Sequence, residues 1–420
     1  MKTTLSLLLL TVSLNSNALS IHCGKMLDVK SGKIKDNMYI QAENNKIIAV
    51  EKFSKQKIDV DLSKKYCLPG LIDMHTHLSM KFSKASYTEK YQFNEADHAF
   101  RSVAYARDTL QAGFTTVRDL GDVFNVTIAL KKAIKQGRIQ GPRIFTAGKA
   151  LASTGGHADP TNGYRQGLLP NPGPLNGVIN GTAQAAQAVR QRYQDGADLI
   201  KITATGGVLS QASSGDNAQF SKAELDSIIS TANDYGFKVT AHAHGKEGMK
   251  RAIVAGVASI EHGTYLDDEI IKLMKKHGTY LVPTLIAGDW VTEKSKVKGY
   301  FPEVVAKKAA TIGPIIAKSF EKAHTAGVKI AFGTDSGVSA HGDNGKEFAL
   351  MVKAGMSALS SIQAATIHAA NLLGQSKNLG SIEVGQFADI IAVSSNPLED
   401  VRILEKIDVV IKNGQLEFGQ

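Results

Sequence analysis

From Gly113 onward the chain keeps one rhythm, in which an amphipathic stretch ends on a glycine and a short β-rich run follows. The junctions read AGFTTVRD, DGADLIKI, YGFKVTAH, AGVASIEH, HGTYLVPT and AGVKIAFGTD. Glycine accepts the left-handed conformation that ends a helix, so each junction predicts helix, stop and strand. The clearest unit is SKAELDSIISTANDYGFKVTAHAHG. There Ser221 and Glu224 form a capping box, and Leu225, Ile228, Ile229 and Ala232 repeat at helical spacing. Gly236 ends the helix, and Phe237 to His242 is the strand.

With LPGLIDMHTH as the first strand and PRIFTAG as the third, eight strands are expected, near 68–77, 115–119, 143–147, 198–204, 237–243, 257–262, 279–284 and 328–335. Strands alternating with helices predict the α/β class with a parallel sheet. Eight such strands close into a TIM-type (β/α)8 barrel, whose active site lies at the C-terminal ends of the strands. The barrel is expected over 68–378. The flanks, 21–67 and 379–420, carry shorter β patterns such as NMYIQAENNKIIAVEK, with Asn44-Asn45 as a turn. They are expected to meet as one small β-sandwich domain docked on the barrel.

The ends and the composition narrow the setting. Residues 1–20 carry one Lys, a leucine-rich core and a small-x-small ending at Ala18-Leu19-Ser20. This is the plan of a secretory signal peptide cleaved near Ile21, and it predicts an exported, periplasmic or extracellular protein with no stable membrane insertion after cleavage. Net charge is +10, but Lys and Arg are scattered rather than massed. No nucleic-acid partner is expected from that distribution. The two cysteines, Cys23 and Cys67, exclude a disulfide framework and a thiolate metal site, and leave room for one bridge.

Chemistry gathers at the strand ends. His75 and His77 stand two apart on a strand and so share a face, as the ligands of one cation do. Lys201 sits in the apolar run LIKIT, where an unpaired ammonium would cost several kcal/mol. It can pair with an acid, or lose its proton and take up carbon dioxide as a bridging carbamate. His242, His262 and Asp335 each close a strand. Singly each could be a core polar residue; together at strand ends they point to divalent metals, with zinc the cation these donors suit. Asp73 shares the face of the first two histidines and is given a structural role.

The motifs HTH after LPGLID, Lys in IKI, HAHG, IEHGT and GTDSG resemble the amidohydrolase superfamily, in its binuclear branch with a carboxylated lysine. TGGH at 154–157, ITATGGV at 202–208 and HGDN at 341–344 are similar to its Xaa-Pro dipeptidase-like and ochratoxinase-like group. The resemblance implies that His75, His77 and Asp335 hold one metal. It also implies that Lys201, as carbamate, bridges to a second metal held by His242 and His262. It further implies a metal-shared hydroxide as nucleophile, with Asp335 moving its proton to the leaving amine.

His244 shares the face of His242 one step higher, and is expected to touch the substrate carbonyl or to orient a ligand. His157, on the loop after the third strand, is expected to contact substrate. The loop GGVLSQASSGDNAQF is placed to cover the site as a lid. Val208 and Leu209 on it, and Val338 after Asp335, are expected to line the apolar side of the pocket. Tyr265, His341 and Arg165 are weaker candidates for a substrate carboxylate. The expected reaction is hydrolysis of the amide bond of a dipeptide or N-acyl amino acid, in a protein that could form a homo-oligomer. The rivals are hydrolysis of a cyclic amide, imidazolone or lactone, and a non-catalytic metal- or solute-binding protein.

Overall fold

The computed structural model describes residues 18–212 and 214–419. The stretch expected as a signal peptide lies outside them except for its last three residues, which open the first strand. The strands are β1 (Ala18–Asp28), β2 (Lys33–Glu43), β3 (Lys46–Lys52), β4 (Val60–Pro69), β5 (Leu71–Thr76), β6 (Phe114–Asp119), β7 (Arg143–Thr146), β8 (Ile200–Thr203), β9 (Val239–Ala243), β10 (Ser259–His262), β11 (Tyr280–Val282), β12 (Ile390–Val393), β13 (Val409–Lys412) and β14 (Gln415–Phe418).

The repeating units form as their patterns predict. Ser221 caps the helix Lys222–Asp234 through a reciprocal capping box with Glu224. Asp267 caps Asp268–His277 by accepting from the Ile270 amide. Along β8, Ile200 and Ile202 join the large apolar core with Leu225 and Ile228 of the next helix. Because side chains alternate across a strand, Lys201 and Thr203 are then turned to the opposite face. The same alternation turns Thr240 and His242 of β9 away from the helices. The site residues are therefore a by-product of packing helices on the outside.

β5, β6 and β7 form one parallel sheet, and β8 to β11 a second. They are two sheets and not one continuous ladder. A single bridge at Leu151 with Ile202 links the β7 side to β8, and the 328–336 segment is bridged to β11 at Leu281 with Ile330 and to β5 at Thr76 with Ser336. The eighth expected strand, 328–335, is not a strand. The Phe332 carbonyl accepts from Met74 of β5, but the Phe332 amide turns away to the carbonyl of Ala364 in a helix. Three residues on, Asp335 adopts a left-handed φ of 57° that no extended ladder carries.

The flanking segments do come together. The order β14-β13-β12-β4-β1-β2-β3 is one seven-stranded sheet, in which β4 pairs parallel to β1 and antiparallel to β12. Where a small β-sandwich was expected, the two flanks form one sheet that curls on itself. Ile47 of β3 exchanges backbone hydrogen bonds with Gly385 and Gln386 just ahead of β12, and Ile21, Ile40, Ile47, Ile390 and Ile411 share one apolar cluster. Asn44 and Asn45 make the β2–β3 turn, both with positive φ. Cys23 of β1 and Cys67 of β4 are joined by a disulfide. β4 runs into β5 across Gly70 alone, so the terminal sheet feeds directly into the strand that carries His75.

Candidate active site

The C-terminal ends of β5, β8, β9 and β10 and the 334–336 turn bring the ligand candidates into one buried cluster. The donor atoms of His75, His77 and Asp335 lie within 4.8 Å of one another. His77 Nε2 is 3.1 Å and His75 Nε2 3.4 Å from Asp335 Oδ1. Lys201 Nζ is 3.5 Å from His75 Nε2. The His262 ring stands 5.0 Å from that of His75 and 4.7 Å from that of His242.

Each of these four histidines has one ring nitrogen held by the protein. His75 Nδ1 meets the Glu261 carboxylate at 2.9 Å. His77 Nδ1 meets the Gly121 carbonyl at 3.1 Å, and His242 Nε2 the Gly206 carbonyl at 3.0 Å. A carbonyl only accepts, so these nitrogens carry the proton, which leaves His242 Nδ1 with its lone pair and turns His77 Nε2 toward Asp335. His262 Nδ1 is held by Thr284 Oγ1 at 2.7 Å. Metal-binding histidines are oriented in this way. Burial keeps His75 neutral, its pKa pushed down to about 4, and holds His242 and His262 well below the usual value.

The two carboxylates here stay ionised. Burial works to raise Asp335, but His75 and His77 outweigh it and hold the group well below the usual range. Burial is likewise outweighed at Glu261 by Arg118, whose guanidinium donates to its Oε1 at 2.8 Å, and by His75. Lys201 is buried, and burial pushes its ammonium down to about 8. A supply of neutral amine near neutral pH is what carbamate formation requires. His262, Thr284 and Asp335 all have left-handed backbones, with φ of 70°, 53° and 57°. That conformation is strained for any residue but glycine, and such outliers gather at functional sites.

Above the cluster is a cavity of about 370 Å³ lined by Val208, His244, Tyr265, Lys308, Thr311 and Ile312, with Ser214 to Asp216 contributed by the loop after β8. His244 Nδ1 is taken by Thr264 Oγ1 at 2.7 Å, which leaves Nε2 for a ligand. His157 stacks on His242 with ring centroids 4.3 Å apart, and its buried Nδ1 has no hydrogen-bond partner among the described residues. Leu209 and Val338 pack with Val208, Phe301 and Val305 in an apolar cluster, but of the three only Val208 lines the cavity.

Tyr265 is on the cavity wall. His341 is not: its Nε2 donates to the Met80 carbonyl at 2.8 Å and its Nδ1 is 3.0 Å from Ser336 Oγ. Nor does Arg165 line the cavity. Asp73 is structural, accepting from the His75 amide, from Thr334 and from Asn344. HGDN therefore braces the 334–336 turn. Glu261 and Arg118 were not among the sequence candidates. The one signal for Glu261 is its place beside His262 in IEHGT.

A family model matches residues 66–416. The chain belongs to the amidohydrolase family. A solved Xaa-Pro dipeptidase with methionine bound in its active site is 50% identical to this amidohydrolase, with a TM-score of 0.92 over 95% of this chain and 99% of that one. A solved prolidase in complex with N-methylphosphonate-L-proline is 30% identical, with a TM-score of 0.87 over 96% and 100% of the two chains. Ochratoxinase of Aspergillus niger is 35% identical over 372 residues, 84% of this chain and 75% of that protein. The amidohydrolase is thus a hydrolase of C–N bonds.

Proposed function

We propose that this amidohydrolase is an exported, binuclear enzyme that cleaves the amide bond of dipeptides or N-acyl amino acids, and that its two parallel sheets are arcs of one (β/α)8 barrel. The observation that carries the reaction is the set of four histidines, three buried and His77 partly so, each anchored through one nitrogen, around Asp335 and Lys201. The substrate class is supported by the dipeptidase and prolidase likeness and by a cavity within the size range of small-molecule sites. Export is supported by the N-terminal pattern and by the Cys23–Cys67 bridge, which suits an oxidising compartment.

The donors fit two divalent metals, zinc being the cation they suit. His75, His77 and Asp335 would hold one, and His242 and His262 the other, with Lys201 as carbamate between them. Bound there, the cations lower the pKa of water and polarise the scissile carbonyl. Asp335, ionised and buried, takes the proton of the attacking water and hands it to the leaving amine. His244 Nε2 donates to the carbonyl oxygen from the cavity wall, and His157 closes the side of the pocket over His242. Val208 and Ile312 keep water from the apolar part of the substrate.

The test is amino-acid release by the mature protein, supplied with zinc and bicarbonate, from dipeptides and N-acyl amino acids grouped by C-terminal residue. Release confined to one C-terminal class is the expected outcome. Asp335→Asn should lower kcat by about a thousandfold or more, in keeping with the loss of an essential proton carrier. Silence across the library from protein holding two metals would send the search to cyclic amides and lactones.

A further inference from the structure

The lid loop is tied down by a residue outside every motif. Lys308, on the helix Glu303–Thr325, donates its three ammonium protons to the carbonyls of Gly207, Ser210 and Ala212, at 2.9, 2.8 and 2.8 Å. An ammonium has three donors and no more, so Lys308 is saturated by backbone although it borders the cavity. It is thus committed to the lid rather than offered to a substrate carboxylate.

The peptides it grips lead straight to the site. The Gly206 carbonyl, next to Gly207, accepts from His242 Nε2 at 3.0 Å and from Thr205 Oγ1 at 2.7 Å. Thr205 Oγ1 in turn accepts the His244 amide at 3.0 Å. Gly207 also lies against the His157 ring so closely that an added Cβ would come within 2.2 Å of ring atoms. One dipeptide, Gly206-Gly207, therefore stands between Lys308 and three histidines of the site.

We infer that Lys308 is a positioning residue for the second-metal half of the centre, holding the Gly206–Gly207 peptides so that His242, His244 and His157 keep their orientation. The half made of His75, His77 and Asp335 has its own anchors at Glu261 and Gly121 and does not depend on it. The inference rests on the binuclear reading above.

The experiment is cobalt(II) titration of the full mature protein and of Lys308→Met, followed by the visible absorption of each equivalent and by competition with a chelator. Lys307→Met is the control, since Lys307 is exposed on the same helix and among the described residues pairs only with Glu303. The second equivalent should bind Lys308→Met at least about tenfold more weakly with an altered spectrum, as loss of a ligand's orienting contact does. The first equivalent should bind as in the parent, and kcat should fall more than KM rises. Should Lys308→Met fail to fold, Lys308→Gln, which keeps two donors of its own, is read in its place. Two equivalents held with parent affinity and spectrum overturn the inference. Uptake of only one equivalent by the parent protein overturns the binuclear reading instead.

Discussion

At the scale of single residues, the site works by anchoring the far side of each functional group. Glu261 shows how much hangs on such an anchor. It accepts from Arg118 and Ser259, and meets His75 Nδ1, all out of reach of water. Glu261→Gln leaves the Arg118 charge buried without its partner, and should cost about 3–5 kcal/mol in urea unfolding of the metal-free protein at neutral pH. Because the folded protein holds this carboxyl below the usual glutamate range, its contribution is full above about pH 4.3 and is lost as pH falls below that value. The gap between parent and variant should narrow over that acid range; a constant gap would mean that ionisation of Glu261 contributes nothing. The convergence of the ligand candidates was legible in the sequence, since imidazoles that close several strands of one sheet system meet at one end of it. Glu261 was not, because strict alternation sends it to the opposite face from His262. The left-handed backbone at His262 breaks that alternation and lets two consecutive residues serve one site, which no period-two pattern shows.

Among elements, the strands and their helices could be read from the recurring glycine stops, and seven of the eight expected strands form. The failure at 328–335 has the same root as the one at Glu261. The motif residue Asp335 sits in a turn, and the amide of Phe332 is claimed by a helix carbonyl far along the chain. The loop beside the cavity was legible as a glycine-rich stretch, but its contact with Lys308 was not. Lys308 belongs to an ordinary amphipathic helix, and nothing in that helix marks one lysine as different from its neighbours. Within that loop, Gly207 is required by space, since the His157 ring is already stacked on His242 and has nowhere to move. Gly207→Ala should therefore lower kcat/KM by about a hundredfold, the order that a misplacement of about 1 Å produces, with circular dichroism unchanged. An unaltered kcat/KM would show that the ring's placement is immaterial to turnover.

For the whole molecule, the division of labour between the terminal sheet and the site-bearing sheets predicts separable effects. The disulfide joins β1 to β4 within the terminal sheet and touches no site residue. Replacing both cysteines by serine should lower stability by about 2–4 kcal/mol, read as a shift in urea midpoint, while kcat/KM of the folded fraction stays unchanged. A change in kcat/KM would mean that the terminal sheet reaches the site through β5. The composite sheet was legible from two β-rich flanks of similar style, though its closure as one curled sheet depends on a register across the whole chain that local pattern cannot give. That register has a temporal side. Leu68 pairs with Ile391, so β4 carries an open edge from the time it is made until nearly the last residues of the chain arrive. A protein threaded out of the cell from its N-terminus would expose that edge throughout its passage, with the Cys23–Cys67 link able to close long before the partner strand appears. Loss of the segment from Ile390 onward would therefore leave a chain with most of its chemistry made and a sticky border that other copies could fill.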